Sequence, residues 1–160
     1  MKYQLLKNIQ RNLNRIYYKN LSFETTKKKL NMIIHHIRTY KYAYLWAIIV
    51  TGLCGTNGQS LPHFDFSSII RIDKIAHLLL FGTETYLIAI ASKKNYNKRS
   101  NFKIIFAAFL IGTIFGIIIE ILQATVFINR SFDYLDMMAN TIGCALAWLI
   151  LRWEFKNRED

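Results

Sequence analysis

Four long apolar runs alternate with short polar segments along the chain, at roughly Tyr42–Gly58, Ile75–Ala91, Phe102–Leu122 and Leu135–Trp153. Each approaches the roughly 20 residues that a helix needs to cross about 30 Å of hydrocarbon. The clearest reads FKIIFAAFLIGTIFGIIIEILQ, with no charge between Lys103 and Glu120, and the weakest is YAYLWAIIVTGLCGTNG. Buried helices of a soluble bundle would need polar faces to cover them, and the third run has almost none. The pattern therefore predicts an all-α polytopic membrane protein, a four-transmembrane-helix bundle over residues 42–153, with a short tail at 154–160.

Residues 1–41 follow a different pattern. KYQLLKNIQRNLNRIYYKN places Leu5, Leu6, Ile9, Leu13, Ile16 and Tyr17 on one helical face, and Lys7, Arg11, Arg15 and Lys19 at four-residue spacing on another. That is the signature of an N-terminal amphipathic surface helix lying on an anionic inner leaflet. An amphipathic helix packed on a partner protein, or a basic tail, would give the same residues. The first forty residues contain no apolar run of secretory-signal type, so the first span is expected to act as its own insertion signal.

Composition sharpens this reading. Apolar residues make up 52% of the chain and charged residues 19%, with a formal net charge of +11. Such a basic excess fits nucleic acid, a membrane surface, or positive loops facing the cytoplasm, and its distribution decides among them. Residues 1–41 carry ten Lys or Arg against the single acid Glu24. The connector SKKNYNKRSNFK (92–103) adds five with no acid, and the tail from Arg152 adds three. Only Arg71, Lys74 and Arg130 remain for the other connectors. Lys and Arg near span ends are retained on the cytoplasmic side, which places both termini and the 92–103 connector inside. A nucleic-acid partner would not require this alternation, so none is expected. Cys54 and Cys144 sit within apolar runs without metal-ligand spacing, and free buried thiols are expected of them.

Against this apolar background the ionisable residues inside the spans stand out. With a rise of 1.5 Å per residue, His77 lies about 6 Å below Asp73, Glu120 about 4.5 Å beneath Gln123, and Asp136 and Asn140 about 4.5 and 10 Å below Asp133. His77, Glu120, Asp136 and Asn140 thus share one shallow layer beneath the outer surface, on three helices. Asp73, His77 and Glu84 repeat along one side of the second span, Gly112, Gly116, Glu120 and Gln123 along the third, and Asp133, Asp136, Asn140, Gly143 and Ala147 along the fourth. The small pairs Gly112–Gly116 and Gly143–Ala147 allow close backbone approach deep in lipid. Tight packing below and ionisable groups above predict a polar pocket facing outward. Each charge at membrane depth costs about 2.5–3.5 kcal/mol on insertion scales, and such groups usually face a bundle interior or cavity. A network that only joins helices is the bland alternative. Asp73, Lys74, Arg130 and Asp133 also suit interfacial snorkelling or helix N-termini, since RID and DYLD place acids where a first turn favours them. Glu84, near mid-membrane, is given no role.

DKIAHLLLF (Asp73, Lys74, His77, Phe81), IEILQ (Glu120, Gln123) and NRSFDYLDMMANTIGCALA (Arg130, Asp133, Asp136, Asn140, Gly143) together resemble VanZ-like membrane proteins over roughly Ile72–Leu151. Glu84 departs from that family's usual apolar residue. The resemblance implies a small bacterial envelope protein in the cytoplasmic membrane. It also implies a link to low-level resistance to the glycopeptide teicoplanin, and it supplies no reaction.

Three functions follow as expectations. The first is an outward site for the headgroup of an envelope lipid or lipid-linked cell-wall precursor. There Arg130 and Lys74 take the anion, with Asp73, Gln123, Asp133 and Asn140 lining the site. His77, Glu120 and Asp136 serve as proton carriers or orienting groups, and would be the acid–base residues if chemistry occurs. No nucleophile elbow, Walker loop or HExxH accompanies them, so whether the protein is an enzyme stays open and no cofactor is expected. The second is a non-enzymatic scaffold of envelope proteins. The third is a proton-linked transporter with Glu84 as carrier, which would need a homodimer. His77, Glu120 and Asp136 could offer one nitrogen and two oxygens to a divalent ion. No local ligand spacing supports such a site, and no metal is expected.

Overall fold

In a computed structural model the described residues form four helices: α1 (Lys2–Cys54), α2 (Phe66–Asn95), α3 (Asn101–Thr125) and α4 (Tyr134–Asn157). The structure describes residues 2–56, 66–96, 99–128, 130 and 132–157, and of these the side chains at 2–20, 22 and 66–71 are not described. The amphipathic stripe expected from Leu5 to Tyr17 lies outside the described side chains. Two compact units result, Met1–Arg38 and Thr39–Asp160. The first unit is helical, and Leu30, Ile33, Ile34 and Ile37 are exposed on it.

In the second unit, α2, α3 and α4 pack on one another and on the last turns of α1. One apolar core gathers Ala43, Ile88, Ile105, Ala108, Leu151 and Phe155, and another gathers Val50, Cys54, Phe81, Ile119 and Cys144. The distribution of polarity is the reverse of a soluble domain's. Leu79, Phe106, Ile114, Ile118 and Leu149 face outward, while His77, Glu84, Thr85, Glu120, Gln123, Asp136 and Asn140 are buried. Exposed aliphatic side chains on every helix are favourable only where the surroundings are themselves apolar. Ile72–Asn95, Asn101–Thr125 and Tyr134–Asn157 are long and apolar enough to cross a membrane. Four spans were expected, and α1 does not join these three. Its apolar stretch, from Tyr42 to the helix end at Cys54, is shorter than those of the other three helices.

Close approach is made possible by small residues. A Cβ on Gly143 would collide with the Leu78 carbonyl oxygen, and one on Gly82 would lie 3.0 Å from the Gly143 carbonyl oxygen. Gly112 faces Thr85 and Cys144 in the same way, and Gly116 faces Asn140. The stripe read from the sequence is therefore the line along which the three spans meet. Both cysteines are free and buried, as expected.

α1 is attached to these spans through polar contacts at three heights. The Tyr40 and Ser92 hydroxyls lie 3.0 Å apart, Trp46 Nε1 donates to the Leu80 carbonyl at 3.0 Å, and Gln123 Nε2 donates to the Cys54 carbonyl at 3.1 Å. The last of these satisfies a carbonyl that the helix end leaves without an intrahelical partner.

Candidate functional site

The N-terminal parts of α2 and α4 and the C-terminal part of α3 bring their ionisable residues to one end of the bundle. α2 begins at Phe66, well before Asp73, so Asp73 is not in its first turn and has no capping role there. Asp73, Lys74 and His77 instead project from one face of an established helix, at spacings of one and four residues. Asp133 does cap α4: Leu135 N donates to its Oδ1 at 2.8 Å, and Asp136 follows in the first turn.

His77 stands at the centre. Its Nδ1 lies 2.9 Å from Asn140 Oδ1. An amide oxygen only accepts, so Nδ1 carries the hydrogen and donates it. Asn140 Nδ2 in turn donates to Glu120 Oε1 at 3.5 Å, and the Asp133 backbone N–H donates to Glu120 Oε2 at 3.4 Å. His77 Nδ1 and Glu120 Oε1 are 3.9 Å apart, and so are His77 Nε2 and Asp73 Oδ1. Lys74 Nζ donates to Asp133 Oδ2 at 2.7 Å and to Asp136 Oδ1 at 2.5 Å. The Phe81 ring stacks on His77 with centroids 6.1 Å apart, closing the cluster on its deep side.

Glu120 is fully buried, Asn140 is 1% exposed and His77 3%, whereas the side chains of Asp73 and Asp133 are 31% and 41% exposed. The site is thus a polar network filling the space between helices, with its exposed edge at Asp73 and Asp133. Among the described residues, Lys74 pairs with Asp133 and Asp136, while the carboxyl groups of Asp73 and Glu120 lie beside His77. The Lys74 hydrogen bond holds the Asp133 carboxyl below its ordinary range, and the Leu135 N–H acts in the same sense.

The structure thus joins Asp73, Lys74, His77, Glu120, Asp133, Asp136 and Asn140 in one cluster. Gln123 is on the same stripe but turns to the end of α1. Arg130 Nε donates to the Thr56 carbonyl at 3.1 Å, beside that end. Lys74, expected to take an anion, is already held by two aspartates. Of the oxygen and nitrogen donors weighed for a metal, Glu120 is directed at Asn140 and the Asp133 N–H. Among the described residues, ligand atoms of Asp73, His77 and Asp136 lie within 4.8 Å of one another.

Glu84 belongs to another layer. It is buried, and among the described residues its Oε2 has no hydrogen-bond partner, nor do the hydroxyls of Thr85 and Thr113. A separate groove of about 360 Å³ runs between α2 and α4, lined by Leu79, Gly82, Tyr86, Gly143 and Ala147, with Tyr86 OH donating to Glu154 at 3.2 Å at its far end. Sequence reasoning missed this pair, since nothing in the spacing relates Tyr86 to Glu154.

A family model described as VanZ/LLP1 matches residues 7–155. No curated protein and no solved structure matches the chain.

Proposed function

The chain belongs to the VanZ/LLP1 family of multi-pass membrane proteins, and from that premise we propose that it binds the headgroup of an envelope lipid or lipid-linked cell-wall precursor at the outer end of its bundle. The observation that carries this reading is the buried cluster of His77, Glu120, Asp136 and Asn140 on three spans. Holding so many ionisable groups at membrane depth costs several kcal/mol, more than helix association alone requires. Arg130 is the cationic contact for the headgroup, since a guanidinium can pair with phosphate through two nitrogens. Asp73 and Asp133 border the site, and the lipid tail stays in the bilayer.

In this reading the protein sits in the bacterial cytoplasmic membrane with both termini inside, because Lys and Arg concentrate in residues 1–41, in 92–103 and in the tail. The stretch of α1 from Tyr40 to Cys54 is the fourth crossing: it meets Ser92 near one end of α2 and Gln123 near the opposite end of the bundle. Site occupancy alters susceptibility to glycopeptides such as teicoplanin.

The test compares wild type with His77→Ala, Glu120→Gln and Asp136→Asn. Each variant should lose the effect on teicoplanin susceptibility while remaining in the membrane at normal abundance. Native mass spectrometry of the wild-type protein should find a phospho- or glycolipid bound, and the variants should lose it. A scaffold is the second reading, favoured by the pairing of Lys74 within the network. It would show as reduced abundance in the variants and no co-purifying lipid in the wild type.

A further inference from the structure

We infer that Asp73, His77 and Asp136 form a binding site for a divalent transition-metal cation of the Mn²⁺ or Zn²⁺ class. Three observations carry it, none of which depends on the headgroup reading.

The first is convergence. One carboxylate oxygen from Asp73, one imidazole nitrogen from His77 and one carboxylate oxygen from Asp136 lie within 4.8 Å of one another. Asp73 and His77 are four residues apart on α2, one above the other on the same face, and Asp136 comes from α4. One imidazole with two carboxylates suits ions such as Mn²⁺ and Zn²⁺ better than Mg²⁺ or Ca²⁺, which prefer oxygen alone.

The second is the state of the His77 ring. It is buried, and Asn140 Oδ1 takes the hydrogen on Nδ1. In the neutral ring Nε2 then carries a lone pair, and it makes no hydrogen bond with any described residue. Its neighbour is Asp73 Oδ1 at 3.9 Å, too long for a hydrogen bond. A cation between the two would be held by both, the nitrogen giving its lone pair and the carboxylate its charge. A histidine whose distal nitrogen is fixed by an oxygen acceptor is also the usual arrangement of a metal-bound imidazole.

The third is charge. Asp73, Glu120, Asp133 and Asp136 bring four carboxyl groups to the cluster against the ammonium of Lys74, and a dication offsets an excess of negative charge there. Lys74 does not block the site: it holds Asp136 through Oδ1, which leaves Oδ2 for the metal. The partly exposed Asp73 provides access from water at the rim.

The experiment uses the full chain in detergent, stripped with chelator and titrated with MnCl₂ or ZnCl₂. Binding is followed by calorimetry and by the loss of the free Mn²⁺ electron paramagnetic resonance signal. One cation per chain is expected. Asp73→Asn, at the exposed rim, and Asp136→Asn should each weaken binding by at least about tenfold, and Asn140→Ala by roughly 10–100-fold through release of the ring. Glu84→Gln and the pair His35→Ala, His36→Ala should leave it unchanged. Monodisperse wild-type protein that takes up neither ion would overturn the site, as would wild-type affinity in Asp73→Asn and Asp136→Asn. Loss of binding on removal of His35 and His36 would place the metal on α1 and equally refute it. A His77 imidazolium paired with Asp73 would appear as the first of these outcomes.

Discussion

At the rim of the cluster one ammonium, Lys74 Nζ, serves Asp133 and Asp136 together. Asp133 also caps α4 through Leu135 N, so its carboxylate acts in a hydrogen bond to the helix and in an ion pair with α2. The pair with Lys74 depresses its folded-state pKa. A depressed carboxyl pKa stabilises the fold above the unfolded value of about 3.9, and that stabilisation disappears as pH falls through the folded value. Asn caps helices nearly as well as Asp, so Asp133→Asn removes the charge and keeps the cap. With 41% of the side chain exposed, solvent screening keeps the loss below about 1 kcal/mol. In thermal unfolding in detergent, the gap between wild type and Asp133→Asn should hold from neutral pH to about 5 and close below about 4. A gap that persists in acid would show that the charge is not its source.

Among the helices the decisive contact is the crossing of α2 and α4 at Gly143. Its Cβ would strike the Leu78 backbone oxygen, which cannot yield without moving α2. Gly143→Ala should lower the thermal midpoint in detergent by an amount equivalent to about 1–3 kcal/mol, the range for overpacking. Gly52 in α1 has nothing within 4 Å of its Cβ position. Gly52→Ala should therefore be neutral, or stabilising by up to about 1 kcal/mol through helix propensity. Equal losses in the two variants would contradict the close crossing. The spacing of Gly112, Gly116, Gly143 and Ala147 made these faces legible in the sequence, because a 3.6-residue period fixes direction around a helix. It does not fix where a helix stops. Polar RID looked like the start of a span, yet α2 begins at Phe66, and Asp73 passes from a presumed cap to a wall of the site. The apolar run through Gly58 likewise overstated α1, whose helix ends at Cys54.

For the molecule as a whole, polarity is arranged inside out, with apolar side chains exposed and polar ones buried. Alkaline phosphatase fused after Ile128 should be active, and after Ser100 inactive; the reverse pattern would invert the proposed orientation. Depth along the helices placed His77, Glu120, Asp136 and Asn140 in one layer, and the structure joins them. Which group meets which was not legible. Partners across helices depend on crossing distances of a few tenths of an ångström, and these paired Lys74 with two aspartates and sent Gln123 to α1. That last detail bears on how the protein is made. The Cys54 carbonyl waits for a side chain 69 residues downstream, and the Thr56 carbonyl for one 74 residues downstream. During synthesis α1 precedes α3, and its end is secured only after α3 has followed. Until α3 and its trailing connector emerge from the ribosome, water or the insertion machinery must shelter its end, and a chain truncated before Gln123 would leave it unanchored there.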